Sequence, residues 1–302
     1  MAATRKKKTR PKSKPKQTAK PKQRAAPKKK SKKTKKPATI SKRKRATRKP
    51  RQHTPPDVHG HEVLGEIIVP SGKLAVFDVG LIGYLPRPAL EPALVTAEVP
   101  PARALPVVGQ RVGKGRFADC WDHVSVMLGG GEVTHSKKLG EAGVDFARLV
   151  CMDHGALDHW RHEDSLDGLA DFVFWGRDAG ELAKAMRAPS NKEGYGWTDL
   201  SVDEAEARAL EADTLKAANH WLLATDLRPH SHHFHALAEA RRSKQGAGTI
   251  DVGDARVCLF FTSWGDGVFP IFLDLDHDDR PVRLRVQLNT ADAGAAPGSQ
   301  GR

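Results

Sequence analysis

The first 52 residues carry 25 Lys and Arg and no Asp or Glu, and that imbalance decides where this chain can fold. Of the 50 basic and 36 acidic residues in the whole chain, residues 53–302 keep 25 basic and all 36 acidic ones, a net charge of −11. The sequence therefore reads as a polycationic arm followed by an acidic body. In the arm, Pro11, Pro15, Pro21, Pro27, Pro37 and Pro50 separate the basic runs, and Ile40 is the one large aliphatic side chain after Met1. Such a stretch has too little apolar surface to offset the entropy of ordering it, so disorder is expected over residues 1–60.

A flexible polycation binds polyanions by releasing their condensed counterions, without reading sequence. The clusters expected to make those contacts are Lys6, Lys7, Lys8, Lys28, Lys29, Lys30, Lys42, Arg43, Lys44 and Arg45. No aromatic residue is interleaved with them, so stacking on single-stranded bases lacks a platform, and duplex backbone is the expected partner. The Lys-Pro-Ala-Thr composition of the arm resembles the tails of linker-histone-like proteins. The bland alternative is a solubilising tail with no dedicated partner.

The body, residues 61–290, is long enough for one domain or two small ones, and residues 291–302 read as a frayed tail. No apolar run approaches the roughly 20 residues of a membrane span. Cys120, Cys151 and Cys258 are odd in number and widely spaced, which argues for a reducing compartment rather than a disulfide framework. A cytoplasmic location is expected, at the nucleoid if the arm holds DNA. No membrane partner is expected, and no motif calls for a cofactor.

The pattern of the body predicts an α+β fold with antiparallel sheet. Strands are expected at 64–69 and 73–79 around the turn Pro70-Ser71-Gly72, then at 116–128, 146–152 and 171–175. Six prolines between 85 and 106 exclude a long helix there. Helices are expected after the capping boxes Asp178/Glu181 and Ser201/Glu204, the second running to about Leu223, and a third from Pro229. Residues 256–288 read as a C-terminal β-meander whose first turn is Gly265-Asp266-Gly267, with Gly267 at a position that wants φ > 0.

Three constellations contain residue types able to do chemistry. His230, His232, His233 and His235 are imidazoles in one short run, weak candidates for a metal site, since no second cluster sits at a recognised spacing. Cys151-Met152-Asp153-His154, Asp158-His159 and His162-Glu163 follow one another and include possible acid/base pairs. Asp119-Cys120-Trp121-Asp122-His123 holds a Cys and a His, which a strand would point to opposite faces. In each, a polar turn or hydrogen-bonded surface is the competing reading. No Walker loop, GxSxG, HExxH or paired-cysteine pattern occurs.

Gly65-Glu66, Val69-Pro70-Ser71-Gly72-Lys73-Leu74 and Asp78 resemble the opening strand–turn–strand of bacterial domain-of-unknown-function family 4241. Ser263-Trp264-Gly265-Asp266-Gly267-Val268-Phe269-Pro270 resembles that family's closing motif, and Met152-Asp153-His154-Gly155 is similar to its aspartate–glycine segment. The resemblance spans about residues 63–288 and implies no known activity. It marks Asp78, Asp153 and Asp266 as motif positions; with His154 they are the catalytic candidates. The expected function is a non-enzymatic binding or regulatory protein whose arm holds nucleic acid. The alternatives are a carboxylate/His or metal-dependent hydrolase, and a toxin- or immunity-type module.

Overall fold

A computed structural model describes residues 60–101 and 103–289. The arm, its basic clusters and the C-terminal tail lie outside the described residues. All described residues belong to the unit 52–302. The fold is α+β, dominated by antiparallel strands.

One large sheet is built from β1 (Glu62–Ile68), β2 (Lys73–Asp78), β3 (Val95–Glu98), β4 (Ala104–Arg111), β5 (Trp121–Met127), β6 (His135–Val144) and β7 (Arg148–Asp153), joined by four later strands. A smaller sheet comprises β8 (Leu169–Gly176), β9 (Ser190–Asn191), β10 (Gly194–Ser201) and β11 (Leu223–Pro229), in the order β11-β8-β10-β9. The remaining strands, β12 (Ala247–Val252), β13 (Ala255–Phe261), β14 (Gly267–Leu275) and β15 (Pro281–Gln287), return to the large sheet. Its order is β3-β2-β7-β13-β1-β4-β5-β15-β14-β6, with β12 also on β13.

The two end strands of the large sheet meet. A Cβ on Gly140 of β6 would stand 3.2 Å from Val95 of β3, so the two strands are in close contact there. The curled sheet thus encloses an apolar interior, including Ile67, Leu105, Val107, Val124, Val126, Ile271, Leu284 and Val286. In β15 the buried Val282, Leu284 and Val286 alternate with the half-buried Arg283, Arg285 and Gln287, as the sequence pattern predicts.

β2, β7 and β13 are buried on both faces. Leu74, Val76, Leu149, Cys151, Cys258 and Phe260 point into the curled sheet. Ala75, Phe77, Val150, Met152, Val257 and Leu259 point outward, under helix α5 (His232–Arg242) and Trp160. Double burial is why these strands read as unbroken apolar runs. A third core joins Phe172 and Phe174 of β8 to α3 (Ala179–Met186) and α4 (Val202–Asn219). Two one-turn helices, α1 (Leu81–Tyr84) and α2 (Arg87–Leu90), occupy the proline-rich stretch in which no long helix fits.

Several elements differ from their expected form. β1 and β2 form on either side of the 70–72 turn but do not pair; β1 bonds to β4 and β13, and β2 to β3 and β7. The expected C-terminal meander survives only as the β14–β15 hairpin, because β13 lies beside β7 and β1. Asp178 stands at the N-cap of α3 as expected, but its side chain makes no cap bond; the carboxylate accepts from Leu222 N at 2.7 Å and pairs with Arg177. α4 stops at Asn219 because His220 turns left-handed (φ 55°), which frees Leu223 to begin β11. Pro229 ends β11, an edge strand that tolerates its missing N–H. α5 starts instead at His232, where the Ser231 hydroxyl accepts from Phe234 N at 3.2 Å. The polar strands β6, β10, β11 and β12 carry little apolar alternation and escaped the sequence pattern.

Candidate ligand-binding cleft

α5 has two apolar-to-polar faces, and they divide its work. Ala236, Leu237 and Ala240 seat the helix on β12 and β13. His233, Phe234, Leu237, Ala238 and Arg241 follow at helical spacing and line an open cleft of about 670 Å³. Its other walls come from β11, from α1 with Tyr84, and from Phe146 and Arg148 at the start of β7. That volume lies within the range of small-molecule sites.

The loop that brings Phe146 and Arg148 to the cleft is held by two carboxylates. Asp78 Oδ2 accepts from Asp145 N at 2.8 Å and Phe146 N at 2.9 Å, and its Oδ1 accepts from Gly80 N at 2.9 Å. Asp266 Oδ1 accepts from the next amide, Ala147 N, at 2.9 Å. Ala147 itself is left-handed, at φ 53°. Burial raises the pKa of Asp78 against the opposing pull of these amides and of Arg148.

The charges in the cleft fall into paired and unpaired sets. Arg228 donates to Asp226 and Glu193, both at 2.6 Å. Arg242 pairs with Glu239 along α5. Arg148 and Arg241 have no ion pair and no side-chain hydrogen bond among the described residues, and the Arg148 Nε is buried without a partner. The Arg148 guanidinium lies 5.3 Å from the centre of the Phe146 ring. Its pKa is lowered first by burial and then by Arg241, with Asp78 acting in the other direction.

Two histidines floor the same region. The rings of His162 and His233 stack at 4.2 Å, 16° from parallel, and the Nε2 of His233 is buried without a partner. Burial and then the Arg148 charge push His162 down to about 4. Burial, His162, Arg148 and Arg241 push His233 down to about 3. Both rings are therefore neutral at pH 7 and can each donate one hydrogen bond and accept one.

The residues singled out from the sequence occupy several places. Asp78 and Asp266 share the 145–147 loop. Asp153 stands at the far end of the same strand pair, opposite Leu74, where it accepts from Ser71 N at 2.7 Å and from Gly155 N. His154 Nε2 meets Glu91 Oε2 at 3.1 Å beside α2. Asp78, Asp153 and Asp266 thus do not converge on one cleft, and each carboxylate accepts backbone N–H groups. Of the Cys151–Glu163 constellation, only His162 and Glu163 reach the cleft. Arg148 and Arg241 carried no sequence signal, since a lone arginine gives no hint of lacking a partner.

The histidine run also separates. His232 Nδ1 accepts from Arg161 N at 2.9 Å and stacks on Trp160, whereas His233 stacks on His162. His235 lies edge-on to His230 and Phe234. His230 is buried between Asp167 and Asp171, with each ring nitrogen 3.1 Å from a carboxylate. Burial alone would lower its pKa; the hydrogen bonds to Asp171 and Asp167 outweigh burial and raise it. Asp171, Asp199 and His230 could bring three donor atoms within 4.8 Å of one another. That trio fits a metal poorly, because both ring nitrogens of His230 are already engaged with carboxylates.

A scan against protein-family models and searches of curated proteins and solved structures found no match to this chain. The resemblance to family 4241 rests on the three short segments named above. Among the described residues no helix is long and apolar enough to cross a membrane.

Proposed function

We propose that this is a binding protein whose basic arm holds nucleic acid without sequence preference and tethers the folded body to it. The observation that carries this reading is the charge partition: 25 basic and no acidic residues before position 53, and a net charge of −11 after it. Neutralising phosphates releases counterions in proportion to the contacts made, and only the arm has the charge density to do so. The body supports a binding role over a catalytic one, because the motif aspartates hold backbone. A cytoplasmic, nucleoid-associated location follows from the same reading.

The test is duplex DNA binding by the full chain and by a chain beginning at His59, over a salt series. The full chain binds several unrelated duplexes equally, and its affinity falls by about a thousandfold between about 50 and 200 mM salt. The shorter chain does not bind. Equal affinity of the two chains, or a strong preference for one duplex, overturns the proposal.

A further inference from the structure

We propose that the cleft between α5, α1 and β11 binds a nucleoside monophosphate with an amino-bearing base, its phosphate on Arg148 and Arg241 and its base on Tyr84. This goes beyond the arm's role and stands on different residues.

Several observations converge on it. Arg148 and Arg241 are the two cleft guanidiniums with no ion pair or hydrogen bond among the described residues, and the buried Nε of Arg148 has lost its water without gaining an acceptor. A buried donor left unmade is costly, so a site that retains one is built for an acceptor that arrives from outside. Two guanidiniums that face one acceptor suit a phosphomonoester, which offers three oxygens and close to two negative charges. The partnerless Nε2 of His233 adds a neutral hydrogen-bonding group beside them.

The wall beside Arg148 is aromatic. Tyr84 is 72% exposed, and its inner face stacks on Phe146 at 5.2 Å. Phe146 in turn lies under the Arg148 guanidinium. The outer face of Tyr84 is therefore an open platform, rigidly backed, for a flat ring. Glu163 lies beside Gly83 of α1, the residue next to Tyr84. Its carboxylate repels a second anionic group at that end and accepts from an N–H, which selects an uncharged, amino-bearing base. The other cleft charges are satisfied: Arg228 by Asp226 and Glu193, Arg242 by Glu239, Asp171 by His230. The volume of about 670 Å³ admits a ligand of this size.

The experiment is calorimetric titration of the full chain with adenosine monophosphate, adenosine and inorganic phosphate at constant ionic strength. The arm is unchanged in every variant, so any contribution from it cancels between variants, and titrating Arg241→Gln with each ligand measures the arm's own share. Adenosine monophosphate saturates one site per chain, and both adenosine and phosphate bind more weakly by about tenfold or more. Arg241→Gln and Arg148→Gln each weaken it by about tenfold or more. Tyr84→Ala weakens it by about fivefold or more. Arg241 and Tyr84 are exposed, so those variants keep the test valid should Arg148→Gln fail to fold. Wild-type affinity in Arg241→Gln, or no saturable site at all, overturns the phosphate assignment. Equal affinity for phosphate and adenosine monophosphate, or no loss in Tyr84→Ala, overturns the base assignment.

Discussion

His162 and His233 lie face to face, 4.2 Å apart, on two segments separated by the whole of the smaller sheet in sequence. The loop before β8 supplies one ring and the first turn of α5 the other. Their contact ties the α5 end of the cleft to the chain entering the β8–β11 sheet. It also places two neutral imidazoles beside two arginines, where protonation of either is opposed by burial and by like charge.

A pH dependence follows. With folded-state values of about 4 for His162 and about 3 for His233, the folded body binds fewer protons than the unfolded chain once the pH drops below about 6.5. Stability therefore declines as the pH falls from about 6.5 toward 5. His230 has the opposite sign, since its raised value gives stability present below about 6.5 and lost as the pH rises through the folded value. Its slope fades once the pH is about a unit below 6.5. Thermal unfolding between about pH 5 and 7 should be less pH-dependent in His162→Phe than in the wild type. Parallel curves for the two proteins would refute the assignment.

Asp274 is fully buried and is shared by Arg283 Nε at 2.7 Å, Arg285 Nε at 2.8 Å and the Ser136 hydroxyl at 2.7 Å. Burial would raise its pKa, but the bonds from Arg285, Ser136 and Arg283 outweigh burial and lower it. Asp274→Ala leaves two guanidiniums on β15 without this acceptor and costs about 3–5 kcal/mol. A drop in Tm of about 10 °C is expected for a body of this size. A Tm within about 2 °C of the wild type would show that the cluster contributes little.

The turn before β14 places its demand on a different glycine from the one expected. Gly265 is left-handed, at φ 79°, whereas Gly267 is not among the positive-φ residues. Gly265→Val should cost about 1–2 kcal/mol through backbone strain alone, because nothing lies within 4 Å of its added Cβ. In Gly267→Ala the new Cβ meets Phe269 Cζ at 3.2 Å, and a small ring shift should hold the cost below about 1 kcal/mol. Urea unfolding of the two variants decides; the reverse order of stability would mean the turn is misread.

Asp266→Ala removes the acceptor for Ala147 N, and a loss of about 1 kcal/mol is expected. Ala147→Gly relaxes the left-handed strain at the same spot, so the double variant should recover part of that loss. The pair should be non-additive in a double-mutant cycle read by chemical unfolding. Strict additivity would show that the carboxylate does not hold the loop.

Sequence alone determined the composition of the parts. The charge partition at residue 52, the α+β class and the apolar runs at 73–79, 146–152 and 256–261 all follow from which side chains water rejects. Residues such as Phe77, Val150 and Leu259 must be buried in any fold. Neighbours are another matter. Period-two alternation says which face of a strand is apolar but not which strand lies beside it, so the pairing of β2 with β7, and of β14 with β6, was illegible. Asp78, Asp153 and Asp266 stood out as motif residues, but only the tertiary structure shows their carboxylates accepting backbone amides. The cleft was hidden for the same reason. Whether an arginine is satisfied depends on the distance to a carboxylate elsewhere in the chain. Arg228 meets Glu193 across the small sheet, while Arg148 is repelled by Arg241 and Asp78 is already occupied by backbone amides. Charge is a property of the residue, and pairing is a property of the fold.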